Sequence, residues 1–255
     1  VIILLLSSAP LMAGQAICDG YDGERLEITG TTVQRLANIP LQYDGYNNLE
    51  GPVWYDGALY YSNIGNKVDP ETGQELSNQT TIWQLKPGAE PEKWLDDSLA
   101  GTNGMALDQQ GRLVTARHLD GSISIIDWQS KAITTLASQF NGKRFNSPND
   151  LTISSDGAIY FTDPDWNVPN TVDRETTIQS QAIYRITNSG HVTRTRVTDL
   201  EPDLADKPNG IMLSIDESDL LVAGLKGLWK FDIEKGEVNN PTQLLNTPID
   251  GLGKD

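Results

Sequence analysis

The 255-residue chain is poor in the residues that several common chemistries require. It has one cysteine, Cys18, and two histidines, His118 and His191. A single thiol makes no disulfide within the chain, so Cys18 is either a free thiol or pairs outside it. The same scarcity speaks against a thiolate or multi-histidine zinc centre. Positive charge is also short. Nineteen Lys and Arg stand against 35 Asp and Glu, for a formal net charge of -16 at pH 7. A field of that sign repels nucleic acid and anionic membranes and suits a bound cation. No GxGxxG follows a strand and there is no phosphate-binding loop, so nothing points to a nucleotide cofactor. The nucleophile elbow GxSxG is missing as well. Helical periodicity is hard to find anywhere. His191, in NSGHV, reads as an exposed turn residue.

Long apolar runs are confined to the start. Residues 1–16, VIILLLSSAPLMAGQA, carry a hydrophobic stretch followed by small residues. That is the pattern of a secretory signal peptide, and it is too short and wrongly flanked for a membrane span. A buried N-terminal strand is the other reading of the run. The initiating Met and a basic leader are not in the sequence, which is expected of a clipped start. The expectation is therefore a signal peptide over 1–16, then a mature domain over 17–255 that is secreted or periplasmic and has no membrane span.

Short β-rich runs do fill the mature region: ALYYS, RLVTA, SISIID, LTIS, AIYFT, AIYRIT, LLVAG and LWKFD. Gly, Pro, Asn and Asp separate them, an all-β pattern. The runs are also self-similar. A polar residue followed by Gly or Asp opens a hairpin at Glu50 (EGPVWYDGALYYSN), Asn103 (NGMALDQQGRLVTARH), Asn149 (NDLTISSDGAIYFTD) and Asn209 (NGIMLSIDESDLLVAG). Asp250 begins another, DGLGKD. The period is about fifty residues, which suits the four-stranded blade of a β-propeller. The last copy stops as its strand begins, so a domain incomplete at its C-terminus is expected.

In a propeller the innermost strand of each blade runs along the central channel, and its first residue sits at the channel mouth. Glu50, Asn149, Asn209 and Asp250 would bring two carboxylates and two amides to the axis. Oxygen ligands of mixed charge suit a hard cation, Ca²⁺ first and Mg²⁺ or Mn²⁺ next. Asn103 shares the phase in a Gly-rich setting and is expected to face substrate or to support the site. The loop after each second strand returns to the same mouth. There stand Asn63, Arg117-His118 and Asp163-Pro164-Asp165-Trp166. Long polar stretches at roughly 63–80 and 164–180 are expected to roof the pocket.

EGPVW at 50–54, NSPNDLTISSDGAIYFTDPDW at 146–166, KPNGI at 207–211 and IDGL at 249–252 resemble the gluconolactonase/regucalcin-like family. The resemblance covers most of residues 45–255. It implies a six-bladed propeller with a catalytic divalent metal at the channel mouth, usually Ca²⁺, with Mg²⁺, Mn²⁺ or Zn²⁺ as other occupants. By resemblance the metal ligands fall on Glu50, Asn209 and Asp250. Asn149 matches an Asn that ligates metal in some members and faces substrate in others. His118 matches a histidine often found after its hairpin. Substrate contacts are expected from Asn103, His118, Asn149, Asp163 and Trp166, and Asp250 is expected to be the catalytic base. The implied reaction is metal-dependent hydrolysis of a lactone, a small-molecule substrate and most naturally a sugar lactone. Hydrolysis of phosphotriesters or fluorophosphates on the same metal, or a non-enzymatic secreted binding propeller, are the alternatives. The ARHLDG segment and the long 164–180 stretch depart from the family pattern.

Overall fold

The computed structural model describes residues 48–68, 75–97, 100–166, 168–169, 172–178, 180–196 and 207–252, without the side chains of 66–79, 174 and 196. The expected signal peptide and Cys18 lie outside these residues. Among the described residues there is no α-helix. One 3-10 turn, Arg174–Thr176, interrupts eighteen β-strands.

Sixteen of the strands form four antiparallel sheets, each a simple meander of four consecutive strands. The first contains β1 (Asn48–Tyr55), β2 (Ala58–Val68), β3 (Glu75–Leu85) and β4 (Glu92–Asp96). The second contains β5 (Thr102–Leu107), β6 (Leu113–Arg117), β7 (Ser122–Ile126) and β8 (Ile133–Ala137). A two-stranded ribbon follows, β9 (Gln139–Phe140) and β10 (Lys143–Arg144). Its Asn141-Gly142 turn has positive φ at both residues, 51° and 77°, as a tight hairpin requires. The third sheet contains β11 (Leu151–Ile153), β12 (Ile159–Asp163), β13 (Ala182–Ile186) and β14 (Val192–Arg196). The fourth contains β15 (Pro208–Leu213), β16 (Asp219–Gly224), β17 (Gly227–Glu234) and β18 (Glu237–Leu245).

The sheets pack in chain order through their first strands: β1 against β5, β5 against β11, and β11 and β12 against β15. This is the blade arrangement of a β-propeller. The second and third sheets each have a neighbour on both sides, so their middle strands are covered on both faces. Leu113–Arg117 and Ile159–Asp163 are accordingly buried along their whole length, without the alternation of a half-exposed strand. The hydrophobic core lies between blades. Val53, Tyr60 and Ile82 of the first blade meet Met105, Leu113 and Ile126 of the second. Val114 and Ile123 of the second meet Leu151, Phe161 and Tyr184 of the third. Tyr160 and Ile183 of the third meet Ile211, Val222 and Phe231 of the fourth.

The outermost strands are polar and exposed. β8 reads ITTLA with four exposed residues, and β18 carries Pro241, a residue a sheet tolerates only at its rim. One expectation needs correction. The stretch at 63–80 is not mainly a roofing loop. Residues 63–68 and 75–80 continue β2 and β3, paired from Asn63↔Thr81 out to Val68↔Glu75. Their alternation was obscured by polar residues. Residues 69–74 lie outside the described set. In the 164–180 stretch, the 3-10 turn is followed by Thr177, bridged to Arg144, and by buried Ile178.

Candidate functional site

Three of the opening residues, Glu50, Asn103 and Asn209, stand where their inner strand breaks register. The pairing of β1 with β2 shifts between Glu50 and Val53. That of β5 with β6 shifts between Thr102 and Met105, and that of β15 with β16 between Pro208 and Ile211. A bulge bends the strand and re-aims one side chain out of the ladder. Glycine makes the bend possible: Gly51 has φ +54°, a region that side chains disfavour.

The openings are stitched to one another across the blades. Ser62 Oγ donates to Asn103 O at 2.8 Å. Gly104 N donates to Asn149 O at 2.7 Å. Thr162 Oγ1 donates to Asn209 O at 2.7 Å, and Gly210 N donates to Asp250 O at 2.9 Å. Backbones approach closely enough that a Cβ on Gly104 would stand 2.7 Å from Asp150 Cα and 2.8 Å from Asn149 O. Openings separated by about fifty positions each are thereby linked in one series of contacts.

The side chains follow. Asn209 Nδ2 donates to Asp250 Oδ1 at 2.5 Å. Glu50 is half-buried. Burial pushes its carboxyl up to about 8, reinforced by the negative charges of Asp250 and Asp150 and opposed by a hydrogen bond from the Asn48 side chain. Asn149 and Asn103 are 7% and 2% exposed, and the Oδ1 of each is buried with no hydrogen-bond partner. Bare acceptors of this kind carry a desolvation cost unless something else satisfies them.

Asp150 is a member of this cluster that sequence reasoning passed over. It occupies the position where the other four openings have glycine, and that substitution was the available signal. Its carboxylate accepts from Leu151 N at 2.8 Å and from Ile211 N, in the next blade, at 3.2 Å. Burial raises its pKa to about 7 against the pull of those two N–H groups, and Asp250 adds to the rise.

The other expected substrate contacts are placed differently. His118 is completely buried, packed against Gly101, whose carbonyl accepts from His118 N at 2.8 Å. Asp163 is also fully buried. Its carboxylate accepts from Asn146 N and Ser147 N, both at 2.9 Å, and so anchors the segment leading to Asn149. Burial pushes that carboxyl up to about 7, with the two N–H donors opposing. Trp166 is 44% exposed.

The donor set fits a hard cation. Glu50, Asn149, Asn209 and Asp250 offer carboxylate and amide oxygens, and Asn149 Oδ1 lacks a partner. Among the described residues, no three His, Cys, Asp or Glu side chains group at metal-ligand spacing. A cation here would be held in part by amides.

Propeller fold and site together define a class, and comparison narrows it. The sequence profile of the SMP-30/Gluconolactonase/LRE-like region matches residues 49–253. The chain belongs to this family. It is 29% identical to a gluconolactonase of Zymomonas mobilis over 269 aligned positions, covering 95% of this chain and 72% of that protein. The solved structure of a gluconolactonase from Xanthomonas campestris is 27% identical with a TM-score of 0.65, covering 83% of this chain and 68% of that one. A second solved structure, of a protein assigned as a gluconolactonase, is 21% identical with the same TM-score of 0.65. It covers 83% of this chain and 70% of that one and shares the fold. No described helix is long and apolar enough to cross a membrane.

Proposed function

We propose that the chain is an exported, metal-dependent hydrolase that opens the ring of a sugar lactone at the mouth of a six-bladed propeller. The observation that carries this reading is geometric: hydrogen bonds between successive openings link Asn103, Asn149, Asn209 and Asp250 in one series, and the buried Oδ1 of Asn149 has no partner within it. Amide and carboxylate oxygens brought from distant openings, one of them without a partner, suit a hard cation. Glu50, Asn149, Asn209 and Asp250 would hold it, Ca²⁺ first. A cation bound there supplies a Lewis acid for the lactone carbonyl.

The chain's own groups account for the proton movements. Asp250 is the exposed carboxylate of the set. Its Oδ1 accepts from Asn209, which orients the carboxylate and leaves the other oxygen to take the proton of the attacking water. The water oxygen bonds to the carbonyl carbon, the ring C–O bond breaks, and the proton passes to the departing ring oxygen. Asn103 and Asn149, both acceptors at Oδ1, would receive sugar hydroxyls or help hold the cation.

Acid release from D-glucono-1,5-lactone by the full chain tests the reading. Turnover is expected to vanish on chelation and return with Ca²⁺. Asp250→Asn is expected to lower kcat by about 10²–10⁴-fold, the usual worth of a positioned base. Full turnover in chelator, or in Asp250→Asn, would overturn it.

A further inference from the structure

The exposed indole of Trp166 has a defined orientation although it sits on a loop. The ammonium of Lys207 lies over its ring, 4.7 Å from the centroid. A cation over an aromatic face within about 6 Å is held by the ring quadrupole. Lys207 is itself constrained in three ways. Its backbone is left-handed, with φ 64°. Its N–H donates to Gln181 Oε1 at 2.9 Å. Its ammonium is paired with the carboxylate of Asp165, the residue beside Trp166.

This arrangement adjoins the candidate site on two sides. Lys207 lies two residues before Asn209, whose amide bonds Asp250. Pro164, two residues before Trp166, accepts at its carbonyl from Ser147 N at 3.1 Å and Ser147 Oγ at 2.6 Å. Ser147 leads into Asn149, whose N–H donates to Thr162 O at 2.9 Å. The indole is thus tied to the loops that deliver Asn149 and Asn209. One face is occupied by a charge-neutralised lysine, and the residue remains 44% exposed. A flat apolar surface with a polar rim suits the C–H face of a polyhydroxylated ring and offers no net charge to an ionic one.

We propose that Trp166 is the platform on which the sugar ring of the lactone lies, and that Lys207 is the positioning residue that fixes the indole there. This rests on the lactonase reading and assigns its specificity. The full chain is compared with Trp166→Ala, Trp166→Phe and Lys207→Gln on two substrates, D-glucono-1,5-lactone and unsubstituted δ-valerolactone. Calorimetric titration with D-glucono-1,5-lactam, a ring analogue with an amide in place of the ester, gives a readout independent of turnover.

Trp166→Ala is expected to raise KM for the sugar lactone and weaken lactam binding by about tenfold. Its kcat, and both constants for δ-valerolactone, should change by less than about threefold. Trp166→Phe should recover part of the loss. Lys207→Gln should raise KM by about threefold, and add nothing in the Trp166→Ala background. Unchanged KM and lactam affinity in Trp166→Ala, equal losses on both substrates, or no lactam binding by the parent protein would each overturn the platform. Trp166-dependent lactam binding without turnover of any lactone would support the platform and overturn the hydrolase reading alone.

Discussion

At the scale of single residues, the site depends on what is small as much as on what is charged. Gly104 is the clearest case, because its Cα faces the backbone of the neighbouring opening. Gly104→Ala would put a Cβ 2.5 Å from Asp150 Oδ1 as well as against backbone atoms. Backbone cannot swing aside as a flexible side chain does. Overpacking of this kind costs about 1–3 kcal/mol. The unfolding midpoint is expected to fall by about 2–4 °C for each kcal/mol lost. Ca²⁺ affinity should weaken too, since Asn149 is displaced. Differential scanning calorimetry with and without Ca²⁺ measures both, and an unchanged midpoint would show that the close approach is not real. Asp150 illustrates the opposite choice. A side chain is accommodated where the other openings have none, and it bonds the N–H of Ile211.

Among elements, the inner strands are useful because they are irregular. Thr162 on β12 shows how one blade fixes the opening of the next. Its hydroxyl donates to Asn209 O at 2.7 Å and accepts from Asp150 N at 3.2 Å. Thr162→Val keeps the shape and removes both bonds. Leaving buried polar groups unmatched costs about 1–3 kcal/mol, so urea unfolding should show that loss, while Thr162→Ser stays close to the parent. Equal stability of all three would remove the stitch from the account.

Much at this scale was legible in the sequence. The Gly, Pro, Asn and Asp residues between the β-rich runs, Asp156-Gly157 among them, marked turns, and the polar openings marked inner strands because their phase repeats. The cross-blade contacts were not legible. Thr162 and Ser62 are ordinary strand residues until the neighbouring blade supplies a carbonyl. Asp163 and His118 read as mouth residues because the loop position is right. Burial of the Asp163 carboxylate under Asn146 and Ser147 N–H depends on how the preceding segment folds back, which no local pattern encodes. Lys207, quoted in KPNGI, was given no role because its partners, Asp165 and Trp166, lie about forty residues earlier in the chain.

For the molecule as a whole, the gathered carboxyls set how stability responds to pH. Glu50, Asp150 and Asp163 have carboxyls raised from 4.5, 3.8 and 3.8 to about 8, 7 and 7. A carboxyl whose pKa is higher folded than unfolded binds more protons in the folded state. Its contribution is present below about pH 4 and lost as pH climbs toward 7–8. The net charge of -16 acts in the same direction, since self-repulsion grows as carboxyls ionise. Asp216, held down to about 2 by hydrogen bonds from Ser214 and Ser218, has the opposite sign only below pH 4. The metal-free protein is therefore expected to melt at progressively lower temperature from pH 5 to pH 8. Ca²⁺ should restore more at pH 8 than at pH 6, because a cation competes with protons for these oxygens. A melting temperature that rises with pH in chelator would contradict the cluster.

The four stitches between openings are of two kinds, and they alternate. Ser62 and Thr162 close their seams with hydroxyls, whereas the seams at Gly104 and Gly210 are closed by peptide N–H groups. Codon changes can delete the hydroxyls one at a time but can reach the peptide donors only through the rest of the backbone. The hydroxyl stitches are thus open to tuning by ordinary mutation, whereas the peptide stitches, with that of Ile211 N to Asp150 beside Thr162, are hard-wired. Variation in how firmly neighbouring openings are held together should accumulate at the first pair.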